Sequence, residues 1–249
     1  MAQKNEWVVG IHAVSELLKQ QPASVQRLVF QSGRDDARLG EIKQLVAELG
    51  LRTEVLDKRD IDRSAGGTHQ GVAAWVKFVD VTKDERFLKK LLDDLDHEPL
   101  LLVLDGITDP HNLGACLRTA DAAGVDAVIV PKDRSASINT TVRKVACGAG
   151  ETVNFVGVTN LQRCLQTLKQ RGIWMVGAAG EAQQGIHQQS LTGPLALVMG
   201  SEDKGLRRLT RESCDFLVSI PMAGALSSLN VSVATGICLF EAIRQRSKD

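Results

Sequence analysis

The sequence predicts an α/β protein in which a small mixed unit precedes a larger one built on a parallel sheet. Three observations predict it. From Leu100 onward, short apolar runs of strand length alternate with stretches of helical spacing, the grammar of a parallel sheet covered on both faces. The runs are apolar throughout rather than alternating, as strands buried on both sides are. Two late runs then break abruptly. Leu195–Met199 gives way to Gly-Ser-Glu-Asp-Lys-Gly205, and Phe216–Ile220 to Pro-Met-Ala-Gly and then Ser228-Leu-Asn230. Strand ends that open into such loops are where ligands bind in open α/β sheets.

Taken in order, Gly10–Leu18 places Ile11, Val14, Leu17 and Leu18 on one helical face. Arg27–Gln31 is short and apolar, as a buried strand is. Leu39, Ile42, Leu45, Val46 and Leu49 mark a second helix, which Gly50 ends. Thr53–Leu56 and Gly71–Val76 read as further strands, so residues 1–80 form a small α/β sandwich without an acid/base cluster. The lone histidine in Thr68-His69-Gln70-Gly71 reads as structural. Val81–Glu98 is dense in charge, with helical periodicity through Phe87, Leu88, Leu91, Leu92 and Leu95, and Pro99 follows. It reads as a linker. Residues 99–249 then hold strands at 100–104, 127–130, 153–156, 173–178, 195–199 and 216–220. Helices are predicted near 112–123, 140–148, 160–171, 205–213 and 229–246.

The chain has 249 residues, 30 basic and 30 acidic. Residues 1–80 carry 11 of each sign, 81–98 carry 4 basic and 6 acidic, and 99–249 carry 15 and 13. Nucleic-acid binders usually leave a basic footprint, so any surface of that kind here is a local patch, and composition alone does not suggest one. In the first unit, Arg27, Arg34, Arg38, Lys58, Arg59 and Arg63 are either phosphate contacts or a solvated face. In the second, Lys132, Arg134, Arg143, Lys144, Lys204, Arg207, Arg208 and Arg211 lie near strand ends and are the better candidates. Five widely spaced cysteines without a Cys-x-x-Cys pair argue against a zinc site or a disulfide framework. No apolar run approaches the ~20 residues that span a bilayer, and the N-terminus lacks the apolar core of a signal peptide. A cytoplasmic protein is expected. No Gly-x-Gly-x-x-Gly follows the first strand of the larger unit and no P-loop is present, which disfavours a nucleotide-dependent oxidoreductase.

Three ordered motifs remain: Asn112-Leu-Gly-Ala-Cys-Leu-Arg118-Thr-Ala120, Gly200-Ser-Glu202-Asp-Lys-Gly205, and Ile220-Pro-Met with Ser228-Leu-Asn230-Val-Ser-Val-Ala234. Together they resemble the motif set of the SpoU (TrmH-like) branch of the SPOUT RNA methyltransferases, over roughly residues 98–247. The resemblance implies a C-terminal domain with a deep trefoil knot, formed where the chain after Ile220 passes through the loop after Met199. It also implies a ribosomal-protein-like RNA-binding domain in residues 1–80. The implied reaction transfers a methyl group from S-adenosylmethionine to a ribose 2′-hydroxyl. A guanosine of 23S ribosomal RNA is the expected target and transfer RNA the alternative. The implied assembly is a homodimer, and neither a metal nor DNA is expected. A non-catalytic RNA-binding module of the same fold is disfavoured by the intact motifs.

The resemblance gives Arg118 the central catalytic place, often described as proton acceptor. Arginine is effectively always protonated, so a clamp on the neighbouring phosphate that stabilises the forming alkoxide is the easier role physically. Both readings stand. Asn112 is expected to cap its helix as well as touch substrate, and Glu202 to position Arg118 or the ribose. Ser228 and Asn230 supply short polar groups at a helix start, Asn230 being the favoured organiser. Gly200, Ile220 and Leu229 resemble the family's cofactor contacts, made through backbone groups. Glycine suits close backbone approach.

Overall fold

The computed structural model describes residues 4–78, 81–226 and 228–247. The chain divides into two compact units, Met1–Asp80 and Val81–Asp249.

The first unit contains β1 (Lys4–Val9), α1 (Ile11–Gln20), β2 (Val25–Gln31), α2 (Ala37–Glu48), β3 (Thr53–Leu56), α3 (Lys58–Ala65) and β4 (Val72–Phe78). Its sheet has the order β1-β4-β2-β3, antiparallel except for β2 and β3. The predicted strands alternate faces. Leu28, Val72 and Val76 bury against Val14, Leu18, Leu39, Ile42 and Val46 of α1 and α2, whereas Val29 and Ala73 meet Ile61 of α3. The histidine motif builds the turn into β4. His69 Nδ1 accepts the Gly71 N–H at 3.0 Å, so its Nε2 carries the proton and faces Asp62 Oδ1 at 3.2 Å. Gln70 Oε1 accepts the Ile11 N–H at 3.2 Å, at the start of α1.

The second unit contains α4 (Glu85–Asp94), β5 (Leu100–Asp105), α5 (Pro110–Ala122), β6 (Ala127–Pro131), α6 (Thr140–Ala146), α7 (Ala149–Thr152), β7 (Phe155–Val158) and α8 (Leu161–Gln170). Then come β8 (Trp174–Ala178), β9 (Leu195–Gly200), α9 (Arg208–Ser213), β10 (Phe216–Val218) and α10 (Val231–Arg246). The expectation of a linker over 81–98 is corrected here. Asp84 caps α4 by accepting the Phe87 N–H at 2.9 Å. Leu88, with Phe87, Leu91 and Leu92 beside it, joins the core against Val156, Leu161 and Leu165. Ahead of the helix, the Lys83 N–H donates to Phe155 O at 2.8 Å and Lys83 O accepts from Gly157 at 3.0 Å. The charges that suggested a tether are the solvent face of an amphipathic helix.

The six strands run in the order β10-β8-β9-β5-β6-β7, every pair parallel. Leu100, Leu102 and Leu104 pack under α5 and α10, while Leu101 and Val103 pack under α4 and α8. This two-sided burial is why β5 is apolar throughout. The sequence runs outward through β6 and β7, then crosses to β8 on the far side. That reversal places a topological switch point between β5 and β9, where Asp105 and Gly200 are partners in register. The strand expected at 153–156 begins two residues late because Val153 ends α7.

Candidate functional site

The loops after β5, β8, β9 and β10 meet at the C-terminal edge of the sheet. The last three of these loops enclose a solvent-open cleft, at the place where open α/β sheets bind ligands. Ala178–Gly180, Gly200, Ile220, Met222 and Leu229 are among the residues of its wall. The predicted cofactor residues Gly200, Ile220 and Leu229 are thus brought together, with Ser228 beside them. Glu202 is the one ionisable side chain among the described lining residues. A small cationic ligand with a large apolar and ring surface fits such a wall. S-adenosylmethionine, with its adenine ring and its sulfonium cation, has that chemistry.

Gly200 is required by a close backbone approach within the chain itself. A Cβ there would stand 2.1 Å from the Gly205 carbonyl carbon and 2.3 Å from the Leu206 nitrogen. The turn folds back on its own start, with Ser201 and Gly205 exchanging backbone hydrogen bonds of 3.1 and 2.8 Å. The close approach is therefore loop to loop, and it shapes the cleft wall.

A smaller cleft adjoins the first, sharing Ser201, Glu202 and Val231 and adding Gly106–Asp109 and Asn112. Asn230 Nδ2 donates to Asn112 Oδ1 at 2.9 Å and also to Glu202 Oε1, which accepts the Val231 N–H at 3.4 Å as well. Three motif residues that are far apart in sequence thus share one hydrogen-bonded array. Asn230 is the N-cap of α10, its Oδ1 accepting the Ser232 N–H at 2.9 Å. Asn112 is not a cap. Asp109 caps α5 by accepting the His111 N–H at 3.0 Å, with Pro110 in the first turn, so the Asn112 amide is free for Asn230.

Arg118 stands apart from this array. It is exposed, and its Nη1 meets the Cys147 thiol at 3.6 Å. Glu202 is hydrogen-bonded to Asn230 and not to Arg118, so the expectation that it positions the arginine has no counterpart within this chain. The neighbouring Cys147 is the exposed cysteine. Burial pushes the thiol of Cys116 up to about 11 and those of Cys164, Cys214 and Cys238 to about 12. They act as core residues rather than nucleophiles. No group able to hold a metal occurs among the described residues, and no described helix is long and apolar enough to cross a membrane.

Sequence reasoning passed over one residue that shapes the site. Asp105 ends β5 with its side chain fully buried. Its Oδ2 accepts the Arg207 N–H at 3.1 Å and its Oδ1 the Arg207 Nε–H at 2.6 Å, with Nη2 closing the pair. This fixes the far end of the Gly200–Gly205 loop. The available signal was a carboxylate ending a wholly apolar central strand. Arg207 is therefore removed from the phosphate-contact candidates. Among the other candidates, Arg143, Arg208 and Arg211 pair with Glu151, Glu212 and Glu181.

An open parallel sheet with clefts at the carboxyl ends of its strands, joined at a switch point, defines a ligand-binding α/β domain. The family follows from comparison. Residues 99–240 match the SpoU rRNA Methylase family, and residues 7–81 match the RNA 2′-O ribose methyltransferase substrate binding family. The chain belongs to the SpoU rRNA Methylase family. It is 57% identical over 241 residues to the 23S rRNA (guanosine-2′-O-)-methyltransferase RlmB of Pseudomonas putida, covering 97% of both chains. It is 54% identical over 244 residues to the same-named protein of Escherichia coli, covering 98% of this chain and 100% of the relative. Among solved structures, the SpoU methyltransferase AviRb from Streptomyces viridochromogenes in complex with AdoMet is similar. Its TM-score is 0.67 at 26% identity, covering 98% of this chain and 92% of the other.

Proposed function

We propose that this protein transfers a methyl group from S-adenosylmethionine to the ribose 2′-hydroxyl of a guanosine in 23S ribosomal RNA. The observation that carries this reading is the Asn112–Asn230–Glu202 array at the junction of the two clefts. It sets acceptors and amide donors where a hydroxyl entering the smaller cleft meets a ligand in the larger one. Relatives of 54–57% identity over nearly the full length support ribosomal rather than transfer RNA as substrate.

Bound in the larger cleft, S-adenosylmethionine supplies a methyl group already activated by sulfonium. The chain's task is then alignment and charge management. Gly200, Ile220 and Leu229 would hold the cofactor, with Ser228 at the same wall. Glu202, fixed by Asn230 and the first turn of α10, would orient the hydroxyl, and its negative charge would complement a cationic cofactor in the cleft. Asn112 and Asn230 fix the ribose. Arg118, outside the array, clamps the adjacent phosphate and stabilises the developing alkoxide as the hydroxyl proton passes to solvent water. The first unit selects the RNA, consistent with its match to a substrate-binding family.

The reading includes the family's trefoil knot, a homodimer and a cytoplasmic setting. The dimer is supported by an apolar strip on α10, where Val233 and Phe240, two turns apart, are 51% and 50% exposed. The test is incubation of 23S rRNA fragments with S-adenosylmethionine and either the wild-type protein or Arg118→Ala, with 2′-O-methyl positions mapped. A single methylated guanosine is expected with the wild type. Arg118→Ala is expected to lose transfer while binding cofactor normally. Methylation of transfer RNA alone, or near wild-type turnover by Arg118→Ala, contradicts the reading.

A further inference from the structure

We propose that the loop Lys132–Ser137, which follows β6, is a phosphate-binding site that grips the RNA backbone beside the target ribose. This rests on the RNA-substrate reading above. β6 is the sheet neighbour of β5, so the loop lies on the same edge as the clefts, roughly 4.8 Å along the sheet from the loop after β5. It is tied to the cleft wall, because the Ala136 N–H donates to Ile107 O at 2.8 Å. Ile107 lines the smaller cleft together with Asn112 and Glu202.

The loop is held in a shape its sequence does not favour. Arg134 has φ +60°, in the left-handed region that residues with a Cβ rarely enter. The next residue, Ser135, has a buried hydroxyl without a hydrogen-bond partner. Backbone outliers and orphaned polar groups of this kind concentrate where a loop serves a ligand. The charges point the same way. Elsewhere around the sheet several arginines are engaged by carboxylates: Arg143 by Glu151, Arg163 by Glu85, Arg171 by Asp93 and Arg211 by Glu181. Lys132 and Arg134 are exposed, and among the described residues neither forms such an ion pair, although the field of Lys132 reaches Asp84. Asp133 between them is exposed too, leaving the tip a net positive charge. In a chain of zero net charge, unpaired cations beside the site are the local patch that RNA binding requires. The arginine fork suits the two non-bridging oxygens of a phosphodiester, and the lysine adds a point charge. Such contacts hold the register of the RNA without reading its sequence.

The test uses the full chain and a transcribed 23S rRNA fragment, with binding followed by fluorescence anisotropy from about 50 to about 300 mM KCl. Lys132→Ala with Arg134→Ala is expected to weaken binding about tenfold at low salt and to flatten the log–log salt slope by about 1.5. S-adenosylmethionine affinity, measured by calorimetry, is expected to stay within about twofold and reports that the fold is intact. Arg134→Lys recovers most of the slope. Arg134→Gly, which relieves the backbone without restoring charge, does not. Lys89→Ala with Lys90→Ala removes the same charge from α4 and is expected to leave the slope unchanged. A wild-type slope in the Lys132/Arg134 double variant, or an equal loss in the α4 control, overturns the proposal. Anisotropy needs no turnover, so a wild-type protein that binds RNA but fails to methylate it contradicts the enzymatic reading while the loop is still decided by its slope.

Discussion

Removing either partner of the Asp105–Arg207 pair is expected to damage the cofactor cleft, and unequally. The Arg207 side chain is 43% exposed, whereas that of Asp105 is 0% exposed. In Asp105→Ala the guanidinium turns to water, so the cost is the lost charge-assisted hydrogen bonds, about 2 kcal/mol. In Arg207→Ala a carboxylate stays in the core with only the backbone N–H at 3.1 Å, and stranding one member of a buried pair costs about 3–4 kcal/mol. For a chain of this size those figures correspond to Tm losses of about 4–8 °C and about 6–16 °C. Both variants free the end of the Gly200–Gly205 loop, so cofactor affinity is expected to fall about tenfold, or about 1.4 kcal/mol. The double variant should cost less than the sum of the singles, because neither charge is then stranded. Thermal melts and calorimetry with S-adenosylmethionine on the four proteins check this. A milder Arg207→Ala than Asp105→Ala, strict additivity, or unchanged affinity refutes the reasoning.

Three further outcomes follow. Gly200→Ala, the smallest possible change, should already impair cofactor binding, since its Cβ meets Gly205 backbone at 2.1 Å; wild-type affinity in a folded variant would show that the turn opens without cost. Glu241, bonded first to Arg244 and then to Gln245 and His187, is held down to about 2 against an ordinary 4.5. Its contribution to stability is fully present above about 4.5 and lost as pH falls through about 2, so Glu241→Gln should flatten the stability profile across that window in denaturant titrations at stepped pH. Deleting residues 1–80, the boundary between the compact units, should leave a folded, cofactor-binding protein that methylates 23S rRNA fragments much less efficiently; an undiminished rate on the same nucleotide would remove the first unit's role in selecting RNA.

The larger sheet was legible because its central strands are buried on both faces, which leaves an unmistakable apolar run at Leu100–Leu104 and again at Leu195–Met199. Elements whose stability comes from a single buried residue were not. α3 buries Ile61 alone among its eight residues, so no stripe announces it. α4 was misjudged because exposed charge outweighs its narrow apolar face. Within the site, the family resemblance carried by the three motifs pointed to Asn112, Glu202 and Asn230, but pairing between distant elements is not written in spacing. Nothing local in Asp109-Pro-His-Asn112 says that the aspartate caps the helix and leaves the asparagine for a partner 118 residues later. The Asp105–Arg207 clamp was hidden for the same reason, since its halves are 102 residues apart.

What brings Asn112 and Asn230 together is helix packing rather than loop chemistry. One turn below Asn112 on α5 lies Cys116, whose thiol meets Thr235 of α10 at 3.6 Å in the fully buried seam. Thr235 in turn donates to Val231 O at 2.7 Å, in the first turn that carries the N–H aimed at Glu202. Farther along, Gly236 faces the Thr119 methyl group, a Cβ there lying 3.7 Å from it. The two helices thus approach along small side chains, and the height of each asparagine at the sheet edge follows from that seam. Gly114 does the same on the other side of α5, where a Cβ would meet Val145 at 2.7 Å and Val142 O at 2.9 Å. Placed on loops alone, an array with a 2.9 Å amide–amide bond would depend on the ligand to order it. Seated on two interlocked helix starts, it is set by the core, and the chemistry inherits the precision of the packing.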